Sequence, residues 1–441
     1  MFVKPDNWDQ LSPEEKKKIR LDYWESSEGL VFASPEAEAR YRERIHRLRN
    51  AIDLNGTDRI ISNPSVGSYA LRRAGLTGYD MVYNYDKFFD PIMEFNNEFQ
   101  PDLAINGFPY PGPVFDILGL QTYVWSGQRL SEEYDIQAVE GEYMMADEYA
   151  DFIMDPSGFW LKTYLPRMCS ALEPLRKMPD LPRISEIVDL GGALLPFGMP
   201  DVQEMLKKLM EAGNEAMRWI STMGKLGGAL AAAGFPSLSS VFWKVPFDFL
   251  GDTLRGTKGI MTDMYRRPKD VLAACEAYVP ILVSGITKAC DAMGAPVAMA
   301  PLHKGADGFM SQEQFETFYW PTFKAVMLGL WEEGIVSFLF AEGGYNSRLE
   351  TIAEMPKGST VWWFDQTDMR RAKEALEGRA CIQGNVPASL MTTGTVEQLR
   401  AYCEDLLEVF SGSAGFILAN GAGVDKTTDE HVRTMIEIVR Q

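Results

Sequence analysis

The sequence predicts an α/β fold: a (β/α)8 TIM barrel with an N-terminal helical layer and a long insertion over the barrel mouth. Three observations predict it. Short apolar runs alternate with helical patterns through the C-terminal half, the spacing of βα units around a parallel sheet. The runs are apolar throughout, which marks strands buried on both faces. Polar residues gather just past the end of one run after another, where a barrel strand opens into its active-site loop. The stretch 335–346, IVSFLFAEGGYN, shows all three. β-Branched and aromatic residues lie between Gly334 and Gly343, and beyond them come Glu342, two glycines that permit close backbone approach, Tyr345 and Asn346.

In chain order, residues 1–57 read as the helical extension and 58–441 as the barrel, with 107–200 its insertion. Ser12-Pro13 and Ser34-Pro35 each set a cap residue before a first-turn proline. Tyr41, Ile45, Leu48 and Ile52 share one face of the second helix. His46, among Arg44, Arg47 and Arg49, reads as a solvated helix residue. The runs 58–64 and 102–106 are the first two expected strands. Region 107–200 is rich in proline, glycine and aromatics, with short helices such as 146–154, and so long an irregular region suits a lid. Residues 201–223 form an amphipathic helix, and 227–233 a packed or mobile segment. Strands follow at 240–245, 296–300, 335–340, 360–364, 380–383 and 415–419. Helices at 268–293, from Ser311, from Asp368, at 395–409 and at 427–439 separate or follow them. An interior proline costs a helix about 3 kcal/mol, so Pro280 and Pro321 are expected to bend theirs. Ser311 with Gln314, Thr395 with Gln398 and Thr427 with Glu430 have capping-box spacing.

Charge and composition exclude several classes. The net charge is 43 − 62 = −19, which repels phosphate backbones and argues against nucleic acid. Five cysteines without CxxC spacing read as reduced thiols of a cytoplasmic protein. The first 22 residues have no apolar leader core, and no apolar run is long enough to cross a bilayer. Three histidines exclude a His-rich metal site. GxxxxGK[ST], strand-to-helix GxGxxG, GxSxG and HExxH are all absent.

The candidate site is assembled from the strand ends. After 296–300 come His303, Lys304 and Asp307; after 335–340, Glu342, Tyr345 and Asn346. After 360–364 come Asp365 and Asp368; after 380–383, Asn385; after 415–419, Asn420. In a barrel these groups converge on one mouth. His303 and Glu342, each followed closely by glycine, are the leading catalytic candidates. Asp365 joins them, although Asp365, Asp368 and Asn385 have an alternative reading as caps and loop anchors. Asp307, Tyr345, Asn346, Asn385 and Asn420 are substrate-binding candidates, and Trp243, Tyr345 and Trp363 suit walls for an aromatic molecule. Trp362 and Trp363 equally suit the core.

The segments PLHKGADGFMSQEQF, FLFAEGGYNSRLE, WWFDQTD, IQGNVPASLMTTGT and FILANGAGV resemble the uroporphyrinogen decarboxylase superfamily. The resemblance covers roughly 240–441, with a weaker trace at 58–120. It implies a (β/α)8 barrel and one of two chemistries, porphyrinogen decarboxylation or corrinoid-dependent methyl transfer. The N-terminal half is similar to the large subgroup associated with corrinoid proteins in anaerobic metabolism. Departures narrow the choice. The zinc methyltransferases end the corresponding strand in L-H-x-C-G, where this chain has Phe340 and Glu342, and their last cysteine ligand falls on Ala422. A thiolate zinc site is therefore not expected, while Glu342 and His303 remain able to ligate a metal such as zinc. The decarboxylase's arginine segment falls on 65–69, SVGSY, without an arginine, and its histidine also falls on Ala422. Its aspartate segment is matched by Phe115-Asp116-Ile117-Leu118, which makes Asp116 a catalytic candidate.

The resemblance then implies a methyltransferase that moves a methyl group from a small donor, in one reading an aromatic O-methyl compound undergoing O-demethylation, to a corrinoid (cobalamin) carried by a partner protein. A homodimer is compatible with it. The alternative is a decarboxylase acting on another carboxylated substrate with Asp116 as proton handler. A third reading, a binding protein on a barrel that has lost its metal ligands, is also open.

Overall fold

The computed structural model describes residues 1–180 and 184–441. The insertion expected at 107–200 is therefore described except at 181–183. The core is a parallel sheet of seven strands: β1 (Ile61–Ser62), β4 (Val241–Phe242), β5 (Val297–Leu302), β6 (Val336–Ala341), β7 (Thr360–Phe364), β8 (Cys381–Val386) and β9 (Phe416–Asn420). Their order is β1-β9-β8-β7-β6-β5-β4. A hairpin in the insertion supplies β2 (Tyr123–Trp125) and β3 (Ile136–Ala138).

The strand expected at 102–106 is not a ladder strand. It lies between β1 and the chain before β4 as an irregular segment held by side chains and one backbone bond. Asp102 accepts from Ser62 N at 3.0 Å and takes the Arg59 fork at 2.6 and 2.8 Å. Ala104 N donates to Pro236 O at 2.8 Å. Asn96 holds both backbone groups of Ile105, at 2.8 and 2.9 Å. Pro101 and Pro236 have no N–H to give a ladder here. The fold is thus the expected TIM-barrel type, with seven laddered strands and this segment at the eighth position.

Alternation divides each strand between two cores. Val297, Val336, Phe338, Val361, Trp363, Cys381 and Ile417 form the inner cluster with Leu48, Ala51 and Ile52. Ala298, Ala300, Leu302, Leu339, Trp362 and Phe364 face the surrounding helices. Leu48, Ala51 and Ile52 belong to the helix Pro35–Ile52, so the N-terminal layer plugs the amino end of the barrel. Each fully buried leucine or isoleucine there is worth about 1.5–3 kcal/mol. The loops before the strands meet that layer closely. A Cβ on Gly334 would lie 2.5 Å from the Lys16 carbonyl carbon, and one on Gly415 2.5 Å from Ala51 O. At the other end the inward Met299, Pro301 and Phe340 are only half-buried, while their outward neighbours are fully buried. The lumen therefore opens at the carboxyl ends. Part of the insertion docks there: Tyr143 N and Met144 N both donate to Leu254 O, at 2.7 and 2.9 Å, in the segment after β4.

Several elements differ from expectation. The 201–223 helix runs Pro200–Ala232, so 227–232 is helix and not a separate segment. The helix Pro268–Met293 continues through Pro280. It is long and apolar enough to cross a membrane, against the sequence reading. Here it packs against the helix Trp320–Glu332, with Val271, Ala274, Cys275, Leu282 and Ile286 buried. Before Pro321 the chain adopts a wide turn, Phe315–Tyr319, which relieves the clash of the proline ring with the preceding turn. The last helix is capped by Thr428, not Thr427, through His431 N. Asp368 is a cap, accepting from Arg370 N and Arg371 N. His46 is exposed between Glu25 and Asn50.

The closure at 102–106 predicts a stability effect. Asp102→Ala strands the Arg59 guanidinium and the buried Ser62 N–H. Removing one partner of a buried pair costs about 3–5 kcal/mol, so the urea midpoint should fall by that equivalent with an unchanged slope. A loss below ~1 kcal/mol would show that the segment closes the barrel without Asp102.

Candidate active site

The register of the sheet builds the site. Pro301 pairs with Phe340, and Phe340 with Trp363, which pairs with Gln383. Two residues further on stand His303, Glu342 and Asp365 with the same inward parity, while Asn385 turns outward and accepts from Tyr402 Oη of the helix Val396–Val409 at 3.1 Å. The layer beneath them is aromatic, Phe340 stacking on Trp363 at 4.1 Å between centroids.

His303 and Glu342 face each other across this layer, Nε2 to Oε1 at 3.8 Å, with side chains 33% and 43% exposed. The other imidazole nitrogen, Nδ1, meets Asp252 Oδ2 at 2.5 Å. Lys244 Nζ lies 2.9 Å from the same oxygen, and Lys304 Nζ binds Oδ1. Burial works against the charge on Asp252, but His303 and the two lysines hold its carboxyl well below the usual range. The hydrogen bond to Asp252 raises His303 above the ordinary histidine value, against the effect of burial. Burial raises Glu342, and the neighbouring carboxylates add to it while His303 opposes it.

A second carboxylate fixes the loop. Asp248, fully buried, accepts from His303 N at 3.0 Å, Lys304 N at 2.9 Å and Tyr319 Oη at 2.7 Å. Burial, then the charge of Asp252, pushes its carboxyl up in spite of these donors. Asp248 ends a short helix, and Asp252 lies in the π-helical stretch Phe249–Arg255 that follows. This wide turn brings both carboxylates onto the His303 loop. Gly251 lets it seat, since a Cβ there would sit 2.7 Å from Lys304 Cε.

Sequence reasoning missed Asp248, Asp252, Lys244 and Tyr319. The signal was present in VFWKVPFDFLGD, which follows β4 as the other polar groups follow their strands. Of the residues it named, His303, Glu342, Asp365 and Trp363 come together. Asp365 also anchors the Glu342 loop by accepting from Gly343 N at 3.0 Å. Asn385 donates to Asp365 O and Thr367 O, at 3.2 and 2.7 Å. Asn420 pins the loop after β1, accepting from Ser65 N at 2.6 Å. Asp307 takes Ser347 Oγ at 2.7 Å, and Asn346 Oδ1 takes Asp368 N at 3.0 Å. Tyr345 is fully buried, its hydroxyl over Gly305. These five hold the mouth's loops. Trp243 is buried outside the lumen against Phe323, its Nε1 donating to Ala298 O at 3.4 Å. Asp116 is exposed and bonded to Tyr83 Oη at 2.7 Å, which also takes Trp125 Nε1.

The donor set bears on a metal. Phe340 and Ala422 offer no ligand atom. His303 Nε2 and Glu342 supply two, short of the three protein ligands of a catalytic zinc site. Among the described residues no group of three His, Cys, Asp or Glu side chains could hold an ion.

Fold and site together define a TIM-barrel protein with an acid–imidazole cluster at the carboxyl ends of its strands. Residues 240–441 match the family Uroporphyrinogen decarboxylase (URO-D). Among solved structures the chain is similar to a methyltransferase from Methanosarcina mazei, with a TM-score of 0.57 and 14% identity over 91% of this chain and 98% of that one. At that identity the likeness is one of fold. No curated protein sequence matches it.

The Asp252–His303 pair predicts a pH signature. His303 should titrate above the ordinary value of about 6.5, and Asp252→Asn should lower it. The chain's three histidines make an NMR titration of ring protons assignable with His46→Gln and His431→Gln. Because the folded-state value is raised, the pair contributes stability below the unfolded value and loses it as pH rises through the folded one. An unshifted His303 in the wild type would contradict the pairing.

Proposed function

We propose that the chain is a methyltransferase that moves a methyl group from a small O-methyl donor, aromatic in the first instance, to a corrinoid carried by a partner protein. One observation carries the reading: a Glu342 carboxyl raised by burial faces His303 over an aromatic floor, in a lumen that opens at the strands' carboxyl ends. The superfamily match of residues 240–441 and the shared fold with a methyltransferase support it. A Co(I) corrinoid, when bound, supplies the nucleophile, so the protein is left to position the donor and assist its leaving group.

In this reading the donor's body lies against Phe340 and Trp363, with its ether oxygen toward Glu342. As the methyl–oxygen bond breaks, the oxygen keeps the electron pair and takes a proton from Glu342. A phenolate leaving group has a pKa near 10, so one proton donor suffices. His303, raised above the ordinary histidine value by its hydrogen bond to Asp252, stabilises the carboxylate left behind. Among the described residues no zinc-type ligand set is present at this position, and the scheme asks for none. The five buried, unpaired cysteines are in keeping with a reducing, cytoplasmic setting.

The test is a screen of methyl donors against Co(I) cobalamin, read by the corrinoid's visible spectrum. On a donor so identified, Glu342→Gln should lower turnover by roughly 10²–10⁴ with the melting temperature near wild type. Asp368→Asn, at a helix cap, should change turnover far less. Near-normal turnover in Glu342→Gln would move the proton donor to His303. Release of CO2 from a carboxylated substrate, without methyl transfer, would favour the decarboxylase alternative and Asp116.

A further inference from the structure

The helix Pro200–Ala232 is 33 residues long and buries Val202, Met205, Ala212, Leu226 and Leu230. Another of its faces is apolar and uncovered. Met210, Met217 and Ile220 are 64%, 73% and 60% exposed. The stripe continues through Gly213, Gly224 and Gly227, and a Cβ on any of these would meet no atom within 4 Å. Glycine weakens a helix interior, and among the described residues no close contact requires it at these positions.

Positions 210, 213, 217, 220, 224 and 227 step by three and four residues, the a and d spacing of a helix–helix seam. The stripe reads Met-Gly-Met-Ile-Gly-Gly. Reversed about the point between Arg218 and Trp219, it sets Met210 opposite Gly227, Gly213 opposite Gly224 and Met217 opposite Ile220. Two copies related by a two-fold axis would meet large side chain against gap at the ends and Met against Ile at the centre. That is the self-complementarity an isologous contact needs.

The apolar surface also continues past the helix's first turn. Ile187, Val188, Leu194, Leu195 and Phe197 are exposed, and Gln203 Nε2 ties this segment to the helix by donating to Phe197 O at 3.2 Å. An antiparallel partner would bring its glycine-rich last turns toward this ridge. With the helix stripe, the exposed side chains amount to on the order of 1,000 Å² per chain, above the roughly 800 Å² per partner of a standard interface. Monomers seldom expose so much in one run.

We infer that this seam is a homodimer interface, in which a second copy of the chain packs its Pro200–Ala232 helix antiparallel on the first. The five native cysteines are buried, so introduced thiols report on the seam alone. Light scattering on the full chain should give twice the 49.5 kDa monomer mass. Met217→Glu with Ile220→Glu, both exposed in the single chain, should halve that mass while the far-UV melting curve stays unchanged. The double variant Met210→Cys with Gly227→Cys should cross-link to a covalent dimer under mild oxidation, and neither single variant should. A wild type that is monomeric at micromolar concentration overturns the inference, whether or not it then binds lipid vesicles or another protein. A dimer that survives the glutamate pair places the interface elsewhere. Cross-linking of Met210→Cys alone means a parallel seam and overturns the antiparallel one.

Discussion

The site depends on the in-register parallel pairing of β5, β6, β7 and β8. Alternation gives each strand one inward set of side chains. The register then decides which members of those sets share a level. Pro301, Phe340, Trp363 and Gln383 share one, so the next inward step holds an imidazole and two carboxylates. A slip of one residue in β6 would turn Glu342 toward the outer helices and bring Ala341 into the lumen. Packing is what prevents this, because the same slip would force Phe338 and Phe340 into the outer space that Leu339 and Ala341 fill and leave those smaller side chains in the inner layer.

Position in the layer does not by itself make His303 and Glu342 useful. Asp248 and Asp252 do the further work. Asp248 takes both backbone N–H groups at the start of the His303 loop, which fixes where the ring begins. Asp252 takes Nδ1, which fixes how it is turned and leaves Nε2 toward Glu342. Lys244 and Lys304 let Asp252 stay charged in spite of burial. The order of cause runs from two lysines, to a carboxylate, to an imidazole, to the carboxyl group that faces the lumen.

Much of this was legible in the sequence, and the gaps have physical causes. The continuous apolar runs at 335–340 and 360–364 announced two-sided burial, and the polar residues after them announced the mouth. His303, Glu342, Asp365 and Trp363 followed from that rule. The first staves were harder. β1 and β4 are two residues each inside the expected runs 58–64 and 240–245, and 102–106 is held by Asp102, Asn96 and Arg59 in place of a ladder, so the strand ends there lie elsewhere than the apolar pattern sets them. Asp248 and Asp252 were missed for the same reason, since a two-residue strand hides its own end. Asn385 and Asn420 drew attention as polar groups at strand ends, yet their amides are occupied in holding loop backbone. Sequence position cannot separate an amide that faces a ligand from one that faces a carbonyl.

The two ends of the barrel are unlike, and this bears on what can act there. The amino end is filled by Leu48, Ala51 and Ile52, with Gly334 and Gly415 admitting backbone so closely that no side chain would fit. Any substrate must therefore enter from the carboxyl side, past half-buried Met299, Pro301 and Phe340, and it meets an aromatic floor before it meets polar groups. At the carboxyl end of β6 this chain presents the Glu342 carboxyl, a group that can hold or release a proton. In the proposed reaction the load at that position is a proton, and the Asp252-held imidazole beside it would steady the charge when the proton leaves.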